Sequence, residues 1–318
     1  MKARSQAAIV ALVSTFLTLG AATAAAEGRA EGSAGMKGKV TVGSKIDTEG
    51  ALLGNMIFLA LESRGFQVVD RIQTGATSVV REAIISGEID IYPEYTGNGF
   101  YLFSGKTVES LWKDPSTAWK TVKDLDYAAN RIVWLDPAPA NNTWAIAVRG
   151  DLAKAASLVT LEDLAAYINS GRPFKIAGSE EFVSSAAALP SFEQGYGFKL
   201  RKDQLLVFSS GNTAITEQAA ASGKEGVNAA MAYGTDGQIA ALDLVVLRDT
   251  KGIQPVYQPS PIIRESVLTA RPEIADILRP IFASLELETL QALNARIAVD
   301  GMDPRAVARE YLDAAGLR

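Results

Sequence analysis

Ile89-Asp90-Ile91-Tyr92-Pro93-Glu94-Tyr95-Thr96-Gly97-Asn98-Gly99 ends a short apolar strand in a glycine-rich turn, directly after a helical run from Thr77 to Ser86 closed by Gly87. The same rhythm continues upstream. Lys39-Val40-Thr41-Val42 reads as a strand, Gly43-Ser44-Lys45 as a turn, and Gly50 to Ser63 as a helix. In that helix Leu52, Leu53, Met56, Ile57, Leu59 and Ala60 take buried-helix spacing, and Gly65 stops it before the strand Phe66-Gln67-Val68-Val69. Strands alternating with helices build βαβ units, so the fold class is α/β with mainly parallel sheet covered on both faces. Ligands of such sheets bind beyond the carboxyl ends of the strands. Lys45 and Tyr95 both lie just past such ends and so face one cleft. Aromatic faces carry negative quadrupole charge, which suits a cation that hydrogen bonds cannot hold. The plain alternative is a strand end whose tyrosines simply pack, and Tyr92 is read that way.

Downstream, residues 107–129 form a polar helical stretch, with Trp112 and Trp119 read as packing, and Arg131 to Leu135 a strand. The turn-rich Asp136-Pro137-Ala138-Pro139-Ala140-Asn141-Asn142 reads as a first crossing between domains. A second α/β set then runs from the strand Thr143-Trp144-Ala145-Ile146-Ala147-Val148 to the strand Asn228 to Tyr233. After Gly234-Thr235-Asp236-Gly237 the chain is expected to cross back. The strand Leu242 to Leu247 and helices at 271–287, 287–298 and 304–315 would complete the first domain. The expected organisation is therefore lobe I at 38–140 plus 238–318, and lobe II at 141–237.

The N-terminus carries Lys2 and Arg4, then an apolar run from Ala7 to Leu19, then Ala24-Ala25-Ala26-Glu27. This is the pattern of a secretory signal peptide, too short for the roughly 20 residues of a membrane span. Residues 1–26 are read as that signal, cleaved near Ala26-Glu27, and 27–37 as a flexible leader; the mature chain is expected in the periplasm. Cleavage removes two basic residues and no acid, so the formal charge moves from −5 to −7. Mild acidity argues against nucleic acid or an anionic membrane surface as partner. The 318-residue chain has 48% hydrophobic composition, enough for two domains, with 0 Cys to staple them and 0 His. Histidine–nucleophile and thiolate catalysis and His- or Cys-ligated metals are thereby excluded. No phosphate or dinucleotide glycine motif and no calcium loop is present, so no cofactor, metal or catalytic residue is assigned.

Four segments now resemble one family in order and at fitting spacing: Val42-Gly43-Ser44-Lys45, Tyr92-Pro93-Glu94-Tyr95-Thr96-Gly97-Asn98, Asn141-Asn142-Thr143-Trp144-Ala145, and Ala232-Tyr233-Gly234-Thr235-Asp236-Gly237. They are similar to the substrate-binding proteins of osmoprotectant ABC importers for glycine betaine, choline and carnitine, of OpuAC type. Glu181 to Pro190 and Gly226 to Met231 resemble the OsmF/YehZ-like branch. The resemblance implies a bilobed periplasmic-binding-protein fold of type II with a two-crossover hinge. It also implies a monomer that closes on a quaternary ammonium solute and docks on inner-membrane permease subunits. Tyr95, Trp144 and Tyr233 match cage walls, giving three aromatic sides. Asn142 matches a polar lining residue and Lys45 a contact to the ligand carboxylate. Asn98, Thr235 and Ser185 complete the implied ligand-binding set.

Two departures bear on the anionic end. Ser185 stands where relatives carry arginine for the carboxylate, and Asn98 where they carry threonine. Losing a charge-assisted contact weakens binding by about 1.5–3 kcal/mol, which points to modest betaine affinity or to a ligand other than betaine. Two other readings stand beside this one. A protein of the same fold could take another small polar or cationic solute, such as an amino acid or polyamine. An enzyme could work through a pair of carboxylates, although no such pair is nameable.

Overall fold

The structure is a computed structural model that describes residues 37–209 and 212–318. The expected signal peptide and nearly all of the leader lie outside the described residues. Two five-stranded sheets organise the chain. The first is ordered β2 (Gln67–Gly75), β1 (Lys39–Lys45), β3 (Ile91–Tyr95), β10 (Pro259–Arg264) and β4 (Ile132–Trp134). The second is ordered β7 (Leu205–Phe208), β6 (Ile176–Ser179), β8 (Ala229–Tyr233), β5 (Trp144–Arg149) and β9 (Leu244–Val246). β1 is parallel to β2 and β3, while β10 runs antiparallel to β3 and β4. In the second sheet β6 is parallel to β7 and β8, and β5 is antiparallel to β8 and β9. Each sheet thus holds one reversed strand, and in each it is the strand by which the chain arrives from the other lobe.

Both sheets are buried on both faces. Helix α1 (Thr48–Ser63) lies on one side of the first sheet with Leu52, Met56, Phe282 and Leu312, while Tyr92, Trp112, Trp134 and Ile262 fill the other. Trp112 and Tyr92 are core, as read from the sequence. The polar helix starts later than expected, at Pro115, because Asp114 caps it and proline is favoured in a first turn.

Two departures from the expected layout have clear causes. The strand Leu242 to Leu247 does not return to lobe I: Val246 pairs with Ala147 and Leu244 with Arg149 at the edge of the second sheet. Gly234 to Gly237 is a local turn, held by the Tyr233 amide donating to Asp236 Oδ2 at 2.6 Å, not a crossing. Lobe II keeps the chain as far as Gln254, whose amide donates to Ala187 O and Ser191 Oγ, both at 2.9 Å. The return crossing follows and runs beside the outward one. Asn142 N donates to Tyr257 O at 2.9 Å and Tyr257 N to Asn141 Oδ1 at 2.8 Å. The second departure is β10, for which the sequence reading named no element and in which prolines are unusual for a central strand. Pro261 faces Pro93, and its carbonyl accepts from Leu135 N at 2.9 Å. The donor that Pro261 lacks is replaced at Leu135 O by Ser260 Oγ at 2.7 Å and Trp119 Nε1 at 3.0 Å.

Beneath the first sheet, Arg81 and Asp126 form a buried ion pair, and Asp126 also accepts from Trp134 Nε1 at 2.8 Å. Removing one partner leaves the other charged and unpaired in the core. Asp126→Ala is therefore expected to lower the unfolding free energy by about 3–5 kcal/mol in urea melts, and a loss below about 1 kcal/mol would contradict this packing.

Candidate functional site

A cleft of about 790 Å³ opens between the two sheets, lined from both lobes and the crossings. Of the residues singled out in the sequence, Lys45, Tyr95, Asn98, Asn142, Trp144, Tyr233 and Thr235 line it. Ser185 does not. It caps the carboxyl end of the short helix Glu180–Ser184, and Glu181, a turn earlier on that helix, is the residue that reaches the cleft.

Strand register builds the aromatic wall of lobe II. Trp144 opens β5 and is paired directly with Tyr233, which ends β8, so both side chains leave the sheet on one face. Their rings stand 6.5 Å apart at 19°, and Phe182 supports Trp144 edge-on at 6.0 Å. Lobe I and the return crossing add Tyr95, Tyr101 and Tyr257. Among the described residues five aromatic side chains therefore line the cleft rather than the expected three, the extra two being Tyr101 and Tyr257. Tyr257 lies flat on Gly97, where an added Cβ would sit 2.7 Å from the ring, so the Thr-Gly-Asn turn needs glycine at this point.

The charges are arranged less simply. Lys45 Nζ sits 2.5 Å from Glu94 Oε1 and 4.5 Å over the Tyr95 ring, so its positive charge is already matched. Glu94 is fully buried and also accepts from Tyr92 Oη, Tyr95 N and Asn98 Nδ2 at 2.8, 2.8 and 2.7 Å. Burial alone would raise its pKa, but the Lys45 ammonium and these donors hold it below the ordinary value. Asn98 is thus a brace for Glu94, and the Lys45 ammonium is committed to Glu94 rather than held open for a carboxylate. Among the described lining residues Lys45 is the only lysine or arginine, against the acids Asp47, Glu49, Glu181 and Asp236. Asp236 lies against Glu217, whose carboxyl is pushed up to about 9, first by burial and then by the Asp236 charge. Burial likewise raises the Asp236 carboxyl, and the two neighbouring acids oppose each other's ionisation.

Glu49 was missed in the sequence, where the helix was started at Gly50. It lies in the first turn of α1, 5% exposed, and lines the cleft. Its Oε1 accepts from Tyr95 Oη at 2.8 Å and Asn142 Nδ2 at 3.1 Å, and its Oε2 from Asn294 Nδ2 at 2.7 Å. Asn294 also donates to Thr235 O at 2.9 Å, which ties helix Leu287–Ala298 to the turn after β8. The side-chain oxygens of Asn142 and Asn294 find no donor among the described residues. Burial is the main cause that pushes the Glu49 carboxyl up to about 7, with Asp47 adding to it and the hydrogen bonds opposing it.

Comparison with known proteins agrees with this architecture. Residues 38–314 match the family described as substrate binding domain of ABC-type glycine betaine transport system. The chain is 55% identical over 277 residues to the glycine betaine-binding protein YehZ of Escherichia coli strain K12, covering 87% of this chain and 90% of that one. It is 30% identical to a glycine-betaine-binding protein of Pseudomonas aeruginosa, covering 85% and 86% of the two chains. The solved structure described as apo YehZ from Escherichia coli superposes with a TM-score of 0.79 over 88% of this chain and 99% of that one.

The Glu49 carboxyl binds its proton more tightly in the folded chain (about 7) than its ordinary value of 4.5 allows. Its stabilising contribution is complete below 4.5 and is lost as pH rises through 7. Between pH 5 and 8, without added ligand, the wild type should lose roughly 2–3 kcal/mol more unfolding free energy than Glu49→Gln. Parallel urea melts with equal losses would contradict the assignment.

Proposed function

Because the chain belongs to the family of substrate-binding domains of ABC-type glycine betaine transport systems, we propose that Trp144 and Tyr233 form the wall on which it holds a quaternary ammonium solute. Glycine betaine and choline are the leading candidates. The single observation that carries this reading is the Trp144–Tyr233 pair, two rings at 19° fixed by strand register on a cleft whose only described basic side chain is already neutralised. A trimethylammonium group offers no hydrogen-bond donor, so it is held by ring faces and by negative potential, and this cleft supplies both. Tyr257 and Tyr101 oppose the wall from the lobe I side, and closure about the paired crossings brings the two sides together.

The remaining assignments follow from the same reading. The signal sequence sends the chain to the periplasm, where it acts as a monomer and passes its ligand to the permease subunits of an ABC importer. It takes no part in catalysis, and its acidic charge keeps nucleic acid away. With Lys45 held by Glu94 and serine at position 185, the carboxylate of betaine gains little charge-assisted support, so betaine affinity is modest.

Trp144→Ala should weaken choline or betaine binding by about 2 kcal/mol, near thirtyfold in Kd, while leaving the far-ultraviolet circular dichroism unchanged. Titration calorimetry against quaternary amines and amino acids tests this. Equal binding by the variant removes the aromatic wall from the account, and binding of an amino acid in place of every quaternary amine replaces the ligand class.

A further inference from the structure

A buried carboxyl in a ligand cleft must be balanced by a cation or by a proton. Among the described residues, Glu49 is paired with no lysine or arginine. Three neutral donors, from β3, the outward crossing and helix Leu287–Ala298, converge on its two oxygens, and the Thr235 hydroxyl adds a fourth from the turn after β8. The charged and titratable groups around it do not compensate it either. Asp47, the cap of its own helix, carries the same sign, and so does Asp236 in the turn after β8. From β1, Lys45 is spent on Glu94; β3 presents the Tyr95 hydroxyl; the crossing and the last-named helix present only Asn142 and Asn294. The donor set is therefore oriented for an anion whose counter-charge the protein does not supply.

Resting on the ligand reading above, we propose that Glu49 is the counter-charge of the captured cation, and that capture expels the proton Glu49 otherwise carries. A methylated ammonium is suited to this exchange. Its charge is spread over methyl groups, so it compensates the carboxylate through space without competing for the oxygens that Tyr95, Asn142 and Asn294 already occupy. The carboxyl loses its proton to solvent as the cation arrives, and the three hydrogen bonds remain. They span β3, the outward crossing and a helix tied to Thr235, so the charge also forms where the two lobes meet. If instead the anionic end of a zwitterion lay against Glu49, ligand binding would take up a proton, and the pH dependence would have the opposite sign.

The test is calorimetry of the mature protein with choline, which does not titrate in this range, in phosphate and in Tris at pH 6 and pH 8. A third buffer that titrates near neutrality, MOPS, takes the place of Tris at pH 6, and the different ionisation heats of the buffers yield the proton count. The expected result is release of most of one proton at pH 6 and little at pH 8, with Kd about tenfold lower at pH 8. Glu49→Gln should bind more weakly at pH 8, with a Kd that no longer changes with pH. Should that variant fail to fold, the wild-type proton count decides alone. A count of zero at both pH values, or proton uptake, overturns this inference and leaves the ligand reading standing. Binding of neither choline nor glycine betaine at any pH overturns the ligand reading, and this inference with it.

Discussion

The ion pair between Lys45 and Glu94 sets the character of the cleft. Glu94 is fully buried beneath the turn that follows β3, and a carboxylate there is tolerable only because an ammonium and three further donors meet it. Holding Lys45 in that role removes the one described basic side chain from the lining and leaves the acids to define the potential. It also lays the ammonium over the Tyr95 ring, so Tyr95 works with its hydroxyl, toward Glu49, while Trp144 and Tyr233 present the open aromatic surface.

The two halves of the site are made by different kinds of order. On lobe II the wall is a consequence of register: β5 and β8 place residues 144 and 233 opposite one another, and a one-residue slip of either strand would turn its ring to the opposite face of the sheet. On lobe I the polar cluster depends on a helix start, a strand end and a crossing that meet at Glu49. The crossings run side by side, joined by Asn141, Asn142 and Tyr257, so two residues that line the cleft, Asn142 and Tyr257, belong to the hinge itself. Gly237 lies against the backbone of Asn294 and Ala295, with its Cβ position 2.1 Å from Ala295 N, so lobe I and lobe II approach there more closely than any side chain would allow.

The alternating βαβ rhythm was legible because helix and strand periods differ and glycines mark the joints, and it led to the correct class of fold. The lobe boundary was misplaced because β9 is three residues long, and its allegiance rests on pairing with β5, which no local pattern encodes. β10 carries Pro259 and Pro261, and the donor that Pro261 lacks is made good at Leu135 O by its neighbour Ser260 and by the distant Trp119. In the cleft, the motifs led to Tyr95, Asn142, Trp144, Tyr233 and Thr235. Glu49 stands just ahead of the helix as read from Gly50, and Asn294 lies 245 residues from it in the chain, so their meeting is a property of tertiary packing alone. Ser185 was misjudged by one helical turn; the same motif contains Glu181, which does reach the cleft.

A cation held by rings and an uncompensated acid, with no basic group to receive its other end, is the central claim. It is tested most directly by a crystal structure of the mature protein grown with choline at pH 8. The account predicts the quaternary nitrogen within about 6 Å of the Trp144 and Tyr233 ring centroids, on the side facing Glu49, with the Lys45–Glu94 pair intact. A quaternary nitrogen remote from both rings, or a Lys45 released from Glu94 to bind the other end of the ligand, would contradict it.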